Sequence, residues 1–518
     1  MRLFQTNPLN QLNLVTLKAV LPFLCQNWRS LIAAATLCKV SLFYLRRLMY
    51  PSGPLPFPFI GNLPALAAVD GSFYRAAETW RAEHGDIFTV WIGEKPWIFI
   101  NSLDAILQCN IPSLAERFGG RHRTNTGDVQ MQGNVGVIFS DSGSGQRVLR
   151  SLALQALRKF LVSCGPRFQG IIDTVDNVVE LEQNKSVESK HIAEEIVQCL
   201  ATLTMFGSQL DPEGEQELRE AHRALELSCP SGLPSDVIPI FKYLLWSRER
   251  AGLAAFCRYN AIARDLCNRT ADAYEEKASG DIDCVMDAVL YTVKTSTTRI
   301  KQGEIYLTRG NVLQIVFDLF EAGSQTSVIT LNWALLKLAS DQELQESIHH
   351  DLTRTIDEIG YFPEKKGKTI APRLQSFLRE VLRFWPAAPF GLPRKLSQKV
   401  RIGNCTLPAN STILFNLYSA NRDPAHWSDG NVFNAERFID SQGYFDETSH
   451  KEFLTFGVGS RACVGFTMAQ ENLFFILARI VQKWQILPTE SGISLEPCPA
   501  ALMLDAKIQN IKLVPRTD

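Results

Sequence analysis

The sequence predicts a mainly helical protein with a small β region, and three observations carry that expectation. Stretches such as SKHIAEEIVQCLATLTMFG place apolar residues at helical spacing. The run from about Glu304 to Ala339 is apolar on nearly every face, the pattern of a helix sealed inside a large protein. Strand-like alternation is confined to short segments, DIFTVWIGEKPWIFIN being the clearest. With 518 residues, 46% of them hydrophobic, the chain can bury a large core. Its net charge of −1 gives no electrostatic case for a nucleic-acid partner. The twelve cysteines show no CxxC spacing, which argues against both a zinc site and a disulfide scaffold.

No acidic residue precedes Asp70. Two apolar runs lie in that stretch, Leu12–Cys25 and Ser30–Leu45. The second falls short of the roughly 20 residues of a comfortable membrane span. Three readings stay open for residues 1–50: a membrane anchor with Arg46 and Arg47 on the cytosolic side, an acid-poor transit peptide, and a peripheral amphipathic helix. Pro51–Leu63, PSGPLPFPFIGNL, cannot continue a helix and reads as a stiff linker. The main domain is expected over 64–518. It opens on a hairpin turning at Gly93–Lys95.

From Gln146 the spacing is helical, and Arg121 and Arg150 flank that region. The chain to Arg299 reads as helix-rich, with a loop at Ser228–Pro239. In the central helix Asp318, Glu321, Gln325 and Asn332 need a reason to sit among apolar neighbours. Gly323 costs about 1 kcal/mol there relative to alanine. Thr326 can bond back to the Ala322 carbonyl and bend the helix. Together they open a groove.

SFLREVLRFWP, Ser376–Pro386, is a helix stopped by its proline, with Glu380 and Arg383 on one face. RIGNCTLPANSTILFNLYSANRDPAHW follows as strands with tight turns, then a helix start at Arg422-Asp423-Pro424. Phe456–Gly465, FGVGSRACVG, is a glycine-punctuated loop ahead of the helical run FTMAQENLFFILARIVQKW. Its Cys463 stands just before a helix N-terminus, where the macrodipole favours thiolate, a metal ligand.

This loop resembles the haem-binding loop of the cytochrome P450 family in Phe456, Gly457, Gly459, Arg461, Cys463 and Gly465. The resemblance runs from about Pro51 to Pro515, and its motifs arrive in the family's order. It implies the P450 fold, with haem b held between the central helix and the cysteine-loop helix, and Cys463 as the iron ligand. Arg121, Arg150 and Arg394 then match the family's propionate partners. The tryptophan of the family's WxxxR is replaced by Gln146, whose amide can still donate to a propionate. Ala322-Gly323-Ser324-Gln325-Thr326-Ser327 resembles the oxygen-binding AGxxTT stretch. Thr326 would pass protons to the oxygen. The usual carboxylate before it is replaced by Gln325, so either Glu321, one turn earlier, or water would take over, or oxygen activation would be slow or altered. NVFNAERFID resembles the PERF-like segment and adds Arg437 to Glu380 and Arg383 in a buried charge network. After the cysteine, the family's AxxE lands on Ala469 and Asn472, with Glu471 one position early. PAALMLDAK resembles the hairpin whose tip, here Leu502–Leu504, faces substrate.

The resemblance is strongest to the animal microsomal branch handling drugs, steroids and fatty acids. It implies insertion of one oxygen atom from O2 into a lipophilic small molecule. It also implies NADPH–haemoprotein reductase as electron donor, cytochrome b5 as a further partner, and residence in the endoplasmic reticulum membrane with the catalytic domain cytosolic. The Pro51–Leu63 stretch resembles the hinge after the anchor. A mitochondrial location is the alternative, disfavoured by Phe466-Thr467-Met468 after the CxG, where mitochondrial members carry arginines. Gln325 also motivates a haem-thiolate isomerase or dehydratase. Gln146, Gln325 and Asn472 together prompt a non-enzymatic haem or lipid binder.

Overall fold

A computed structural model describes residues 28–516 except for 31, 70–71, 163, 208–211, 229–232, 238–242, 244–245, 275–281, 297–306, 364–365, 368, 449–450 and 499–502. The run Leu12–Cys25, half of the Ser228–Pro239 loop and the hairpin-tip residue Leu502 therefore lie outside the described residues, and the loop's Pro234–Val237 forms a short helix.

Helix α1, Trp28–Arg47, is twenty residues long, which exceeds the apolar run because both flanks are helical. It is the one helix among the described residues long and apolar enough to cross a membrane. Its last turns are not free of the main domain. Strands β1 (Ile87–Ile92) and β2 (Lys95–Ile100) pair antiparallel around a turn at Gly93, which has φ +60°. Phe43 of α1 is buried edge-on against Trp91 of β1, with centroids 4.9 Å apart. Lys39 forms an ion pair with Glu94 at 3.0 Å. The Pro51–Leu63 segment is not a detached linker either. Asn62 exchanges backbone bonds with Trp91, donating at 2.6 Å and accepting on Oδ1 at 2.8 Å. A β-edge amide that would otherwise face water is thereby paired.

The principal sheet has the order β1-β2-β5-β4-β3, where β3 is Gly120–Arg121, β4 Arg394–Lys395 and β5 Thr412–Phe415. Arg121 of β3 stands opposite Arg394 of β4. Two smaller sheets pair 484–488, 510–515 and 186–188, and 400–402 with 405–407. The expected strands are present. The helix expected from Arg422-Asp423-Pro424 is not formed. Asp423 instead accepts the Leu103 N–H at 3.2 Å, and Arg422 lies over the Tyr418 ring.

Three further helices frame the centre. They are α2 (Asn125–Met131), α3 (Ser144–Val162) and α4 (Trp246–Asp272). The central helix, α5, spans Arg309–Ser340 and is capped by Thr308 Oγ1 accepting the Asn311 N–H. It starts later than the expected Glu304, which lies outside the described residues. Its apolar residues divide between two cores. Val312–Phe320 joins α3 and α4, and Val328–Ala339 joins helix α6 (Pro372–Phe384) and most of helix α7 (Phe466–Lys483). Residues 321–327 belong to neither core, and Ala322 is exposed there. The amino-terminal end of α7 straddles the same division, with Met468 in one core and Leu473 in the other. Both helices therefore run along the boundary between the two cores.

Candidate active site

Gly465 caps the start of α7 and Cys463 stands two residues earlier. The Cys463 N–H donates to the Phe456 carbonyl at 2.8 Å, which closes the loop. Gly457 and Gly459 have φ of +70° and +74°, which glycine adopts at no steric cost. Cys463 is reached by solvent although protein surrounds it closely. Burial pushes its thiol pKa up, opposed by the Gly465 N–H and by Arg150. The helix-terminus argument from sequence is thus only a partial offset to desolvation.

Four arginines gather beside this loop. Arg461 is buried and donates to the carbonyls of Gly119, Val137 and Ser140, clasping the segment between β3 and α3. Arg150 donates to the Ala462 carbonyl at 2.6 Å. Arg121 donates through Nε to Ile138 and through Nη1 to Leu392. Arg394 is buried and its Nη1 has no partner. Burial lowers the pKa of Arg394 to about 10, with Arg461 and Arg150 adding to the fall. Burial also lowers Arg461 to about 10, and the repulsion of Arg150 adds to that. Arg121 is lowered by burial and by all three of the others, with Asp141 opposing. Asp141 places Oδ1 on the Arg121 backbone N–H at 2.7 Å. A buried cationic cluster with an orphaned donor calls for an anion.

The sequence-predicted Gln146 is buried, and its amide donates to the Val137 carbonyl at 3.3 Å. On the central helix, Thr326 Oγ1 donates to the Ala322 carbonyl at 2.8 Å, as its position on the helix predicted. A Cβ added at Gly323 would meet nothing within 4 Å. This stretch of helix is open, and a flat group can approach its backbone. A solvent-reached cysteine, an open stretch of the central helix and an arginine cluster with an unpartnered buried donor fit haem with its two propionates.

The central helix's polar residues have their reasons. Asp318 accepts the Val137 and Ile138 N–H groups at 2.6 and 3.1 Å and the Gln314 amide at 2.7 Å. Asn332 accepts the Ser189 hydroxyl at 2.7 Å. Glu321 Oε2 accepts the Gln130 amide at 3.1 Å. Burial raises Glu321 to about 7, with Tyr259 and Gln130 pulling it down and Asp318 pushing it up. Gln325 is half-buried one turn further on.

Behind the site, Glu380 and Arg383 are fully buried and joined by two 2.7 Å bonds. Arg437 reaches Glu380 at 3.2 Å, completing the expected network. Phe456 packs edge-on against Phe453. At the chain's end, the Leu504 N–H donates to the Ala387 carbonyl. Gln130, Tyr259, Arg264 and Arg167 were not singled out in the sequence. Arg167 donates to the Glu471 carboxylate and to the Asn472 amide oxygen, so the displaced acid and the amide in its place are held by one cation. None of the four carries a local signal, because each meets its partner only through packing of distant helices.

A family model described as Cytochrome P450 matches residues 51–512. Cytochrome P450 1A1 of Sparus aurata is 24% identical over 478 residues, covering 88% of this chain and 89% of that protein. Cytochrome P450 1A1 of Rattus norvegicus is 23% identical, with 90% of each chain covered. Cytochrome P450 1A2 of Cavia porcellus is 24% identical, covering 90% of this chain and 92% of that protein.

Proposed function

Because the chain belongs to the cytochrome P450 family, whose members are monooxygenases binding haem b through a cysteine thiolate, we propose that Cys463 is that thiolate. In this reading the substrate is a lipophilic small molecule and the electrons come from NADPH through a membrane haemoprotein reductase. The observation that carries the site is the pairing of Cys463 with the arginine cluster around Arg394. Haem, when bound, supplies the redox chemistry that activates dioxygen.

The chain's own residues do the rest. Arg394, with its unpartnered Nη1, and Arg121 hold the propionates. Arg150 and Arg461 also brace the site, donating to the carbonyls of the cysteine loop and the segment it faces, as Arg121 does to those of Ile138 and Leu392. Gln146 supports the same segment. Phe456 and Gly465 fix the loop on either side of the sulfur. Ala322 and Gly323 leave the helix backbone open. Glu380, Arg383 and Arg437 keep the floor rigid.

Thr326 keeps its hydroxyl on the Ala322 carbonyl and retains lone pairs to accept a proton. Gln325 cannot exchange one as a carboxylate can. Glu321, raised to about 7, holds a proton part of the time near neutral pH and takes that task. Replacing Gln325 by glutamate is expected to raise the fraction of consumed oxygen that reaches product. An unchanged ratio of product to NADPH would show that a second acid adds nothing.

Helix α1, with Arg46 and Arg47 at its end, supports residence in the endoplasmic reticulum membrane. Adding a microsomal NADPH–haemoprotein reductase and NADPH is expected to drive oxygen uptake, stimulated by lipophilic compounds selected through the iron's spin-state shift. Uptake driven by a ferredoxin and its reductase, and not by the microsomal reductase, would overturn this assignment.

A further inference from the structure

Residues 135–140 lie between α2 and α3 in the chain, and they form a strap whose peptide groups are sorted by direction. Val135 donates its N–H to Asn311 Oδ1 at 2.8 Å. Val137 and Ile138 donate theirs to Asp318 Oδ2 at 2.6 and 3.1 Å. Asn311 and Asp318 both belong to the central helix α5. The carbonyls meet other partners. That of Val137 accepts from Arg461 Nη1 and from the Gln146 amide, each at 3.3 Å. That of Ile138 accepts from Arg121 Nε at 2.8 Å, and that of Ser140 from Arg461 Nη2 at 2.6 Å. The strap is thus held through its N–H groups by the central helix and through its carbonyls by the arginine cluster.

The two holds share one peptide unit, the one joining Val137 to Ile138. Its N–H meets the Asp318 carboxylate and its C=O meets the Arg461 guanidinium. Hydrogen bonds in such a chain polarise one another, so an anion at the N–H makes the oxygen a better acceptor for the cation. Burial raises the Asp318 pKa to about 6, opposed by its amide donors and by Arg264, so the group is a carboxylate at neutral pH. Its other oxygen accepts the Gln314 amide at 2.7 Å, which fixes its orientation. Gly136 lets the strap lie this close. A Cβ there would stand 2.5 Å from Asp318 Oδ2 and 3.0 Å from Gln314 Cγ.

We propose that Asp318 is a positioning residue for the cofactor, holding the strap through the Val137 and Ile138 amides so that its carbonyls fix the Arg121 and Arg461 guanidiniums at the haem site. The proposal rests on the reading of the arginine cluster as the propionate site and of Cys463 as the iron ligand. It gives the central helix a task besides presenting an open backbone: one of its carboxylates organises the arginines beside the cysteine loop. Buried partners that orient the groups around a metal centre typically change its affinity about 10–100-fold when removed.

The test uses the haem-loaded full chain. Transfer of haem to an excess of a haem-scavenging globin gives the rate of loss, and amide hydrogen exchange at Val137 and Ile138 reads the strap itself. Rates are compared at equal distance from each variant's unfolding midpoint in denaturant. Asp318→Ala is expected to speed haem loss about 10–100-fold and to unprotect both amides. Asp318→Asn keeps an oxygen for the N–H groups and should fall between alanine and the parent. Gly136→Ala keeps the carboxylate but pushes the strap away from it, and should also speed haem loss. Asn332→Ala removes a buried 2.7 Å bond from Ser189 in the other half of the same helix, and is the control for stability alone.

Asp318→Ala losing haem no faster than Asn332→Ala overturns the positioning role, as does parent-like exchange at Val137 and Ile138. Where Asp318→Ala fails to load haem, Gly136→Ala and Asp318→Asn decide, and the parent rate in both overturns it equally. The red-shifted carbon monoxide band of the reduced parent tests the reading of Cys463 separately.

Discussion

Replacement of Cys463 by alanine is expected to abolish the red-shifted Soret band that a thiolate-ligated haem gives with carbon monoxide on reduction. Oxygen uptake should fall by more than the roughly 10–100-fold that loss of a supporting residue costs a metal site. The effect is chemical, not structural. The loop is closed by the Cys463 backbone N–H on Phe456, which alanine keeps. The arginine cluster is also untouched, so the variant should still take up haem, with the band of a protein lacking the thiolate. A normal band in the variant would move the iron ligand elsewhere.

Replacement of Glu380 by alanine is expected to be the most destabilising single change in the chain. Both members of the Glu380–Arg383 pair are fully buried. Arg383 also donates to the carbonyls of Asn421, Gly430 and Val432, and Glu380 accepts the Asn434 N–H at 2.8 Å. Removing the carboxylate leaves the Arg383 charge uncompensated and leaves Arg437 only the carbonyls of Ser428, Asp429 and Val432. Breaking a buried pair in this way costs about 3–5 kcal/mol, a large share of the ~5–15 kcal/mol that holds a domain together. Chemical unfolding should show the loss as a lowered midpoint. A midpoint within about 1 kcal/mol of the parent would mean that the network contributes little.

The readable part of the site was the part encoded over short spans. The cysteine loop, the Thr326 back-bond and the Glu380–Arg383 pair each depend on residues within one loop or one helical turn. Arg437 was found because it lies in a motif with fixed order. Much of what surrounds them was not legible. Asp318 looked anomalous until its carboxylate was seen on two backbone amides 180 residues away in sequence. Arg264 meets Gln130 across 134 positions. Arg461 was expected at the cofactor, but its donors hold carbonyls of the facing segment.

The failures have the same origin. A proline after Arg422-Asp423 suits a helix start, but Asp423 is drawn to Leu103 from 320 residues away. The Pro51–Leu63 stretch has the composition of a linker, yet it lies against β1, because Asn62 and Trp91 satisfy each other's backbone groups. Composition described the chain's stiffness correctly and said nothing of what it would rest on.

The four arginines also bear on how the protein comes to exist in a cell. Folding the polypeptide alone brings Arg121, Arg150, Arg394 and Arg461 together in a poorly solvated space where Arg150 makes the other three less basic and Arg461 adds to that at Arg121 and Arg394. That repulsion opposes folding; Asp141 offsets part of it at Arg121 and Arg461, and a bound dianion would offset more. Haem uptake would thus stabilise the folded chain as well as supply its colour and reactivity. Each tenfold rise of free haem above its dissociation constant adds about 1.4 kcal/mol to the folded state. Synthesis of the chain and supply of the porphyrin are thermodynamically joined, and a cell starved of haem would lose the polypeptide itself.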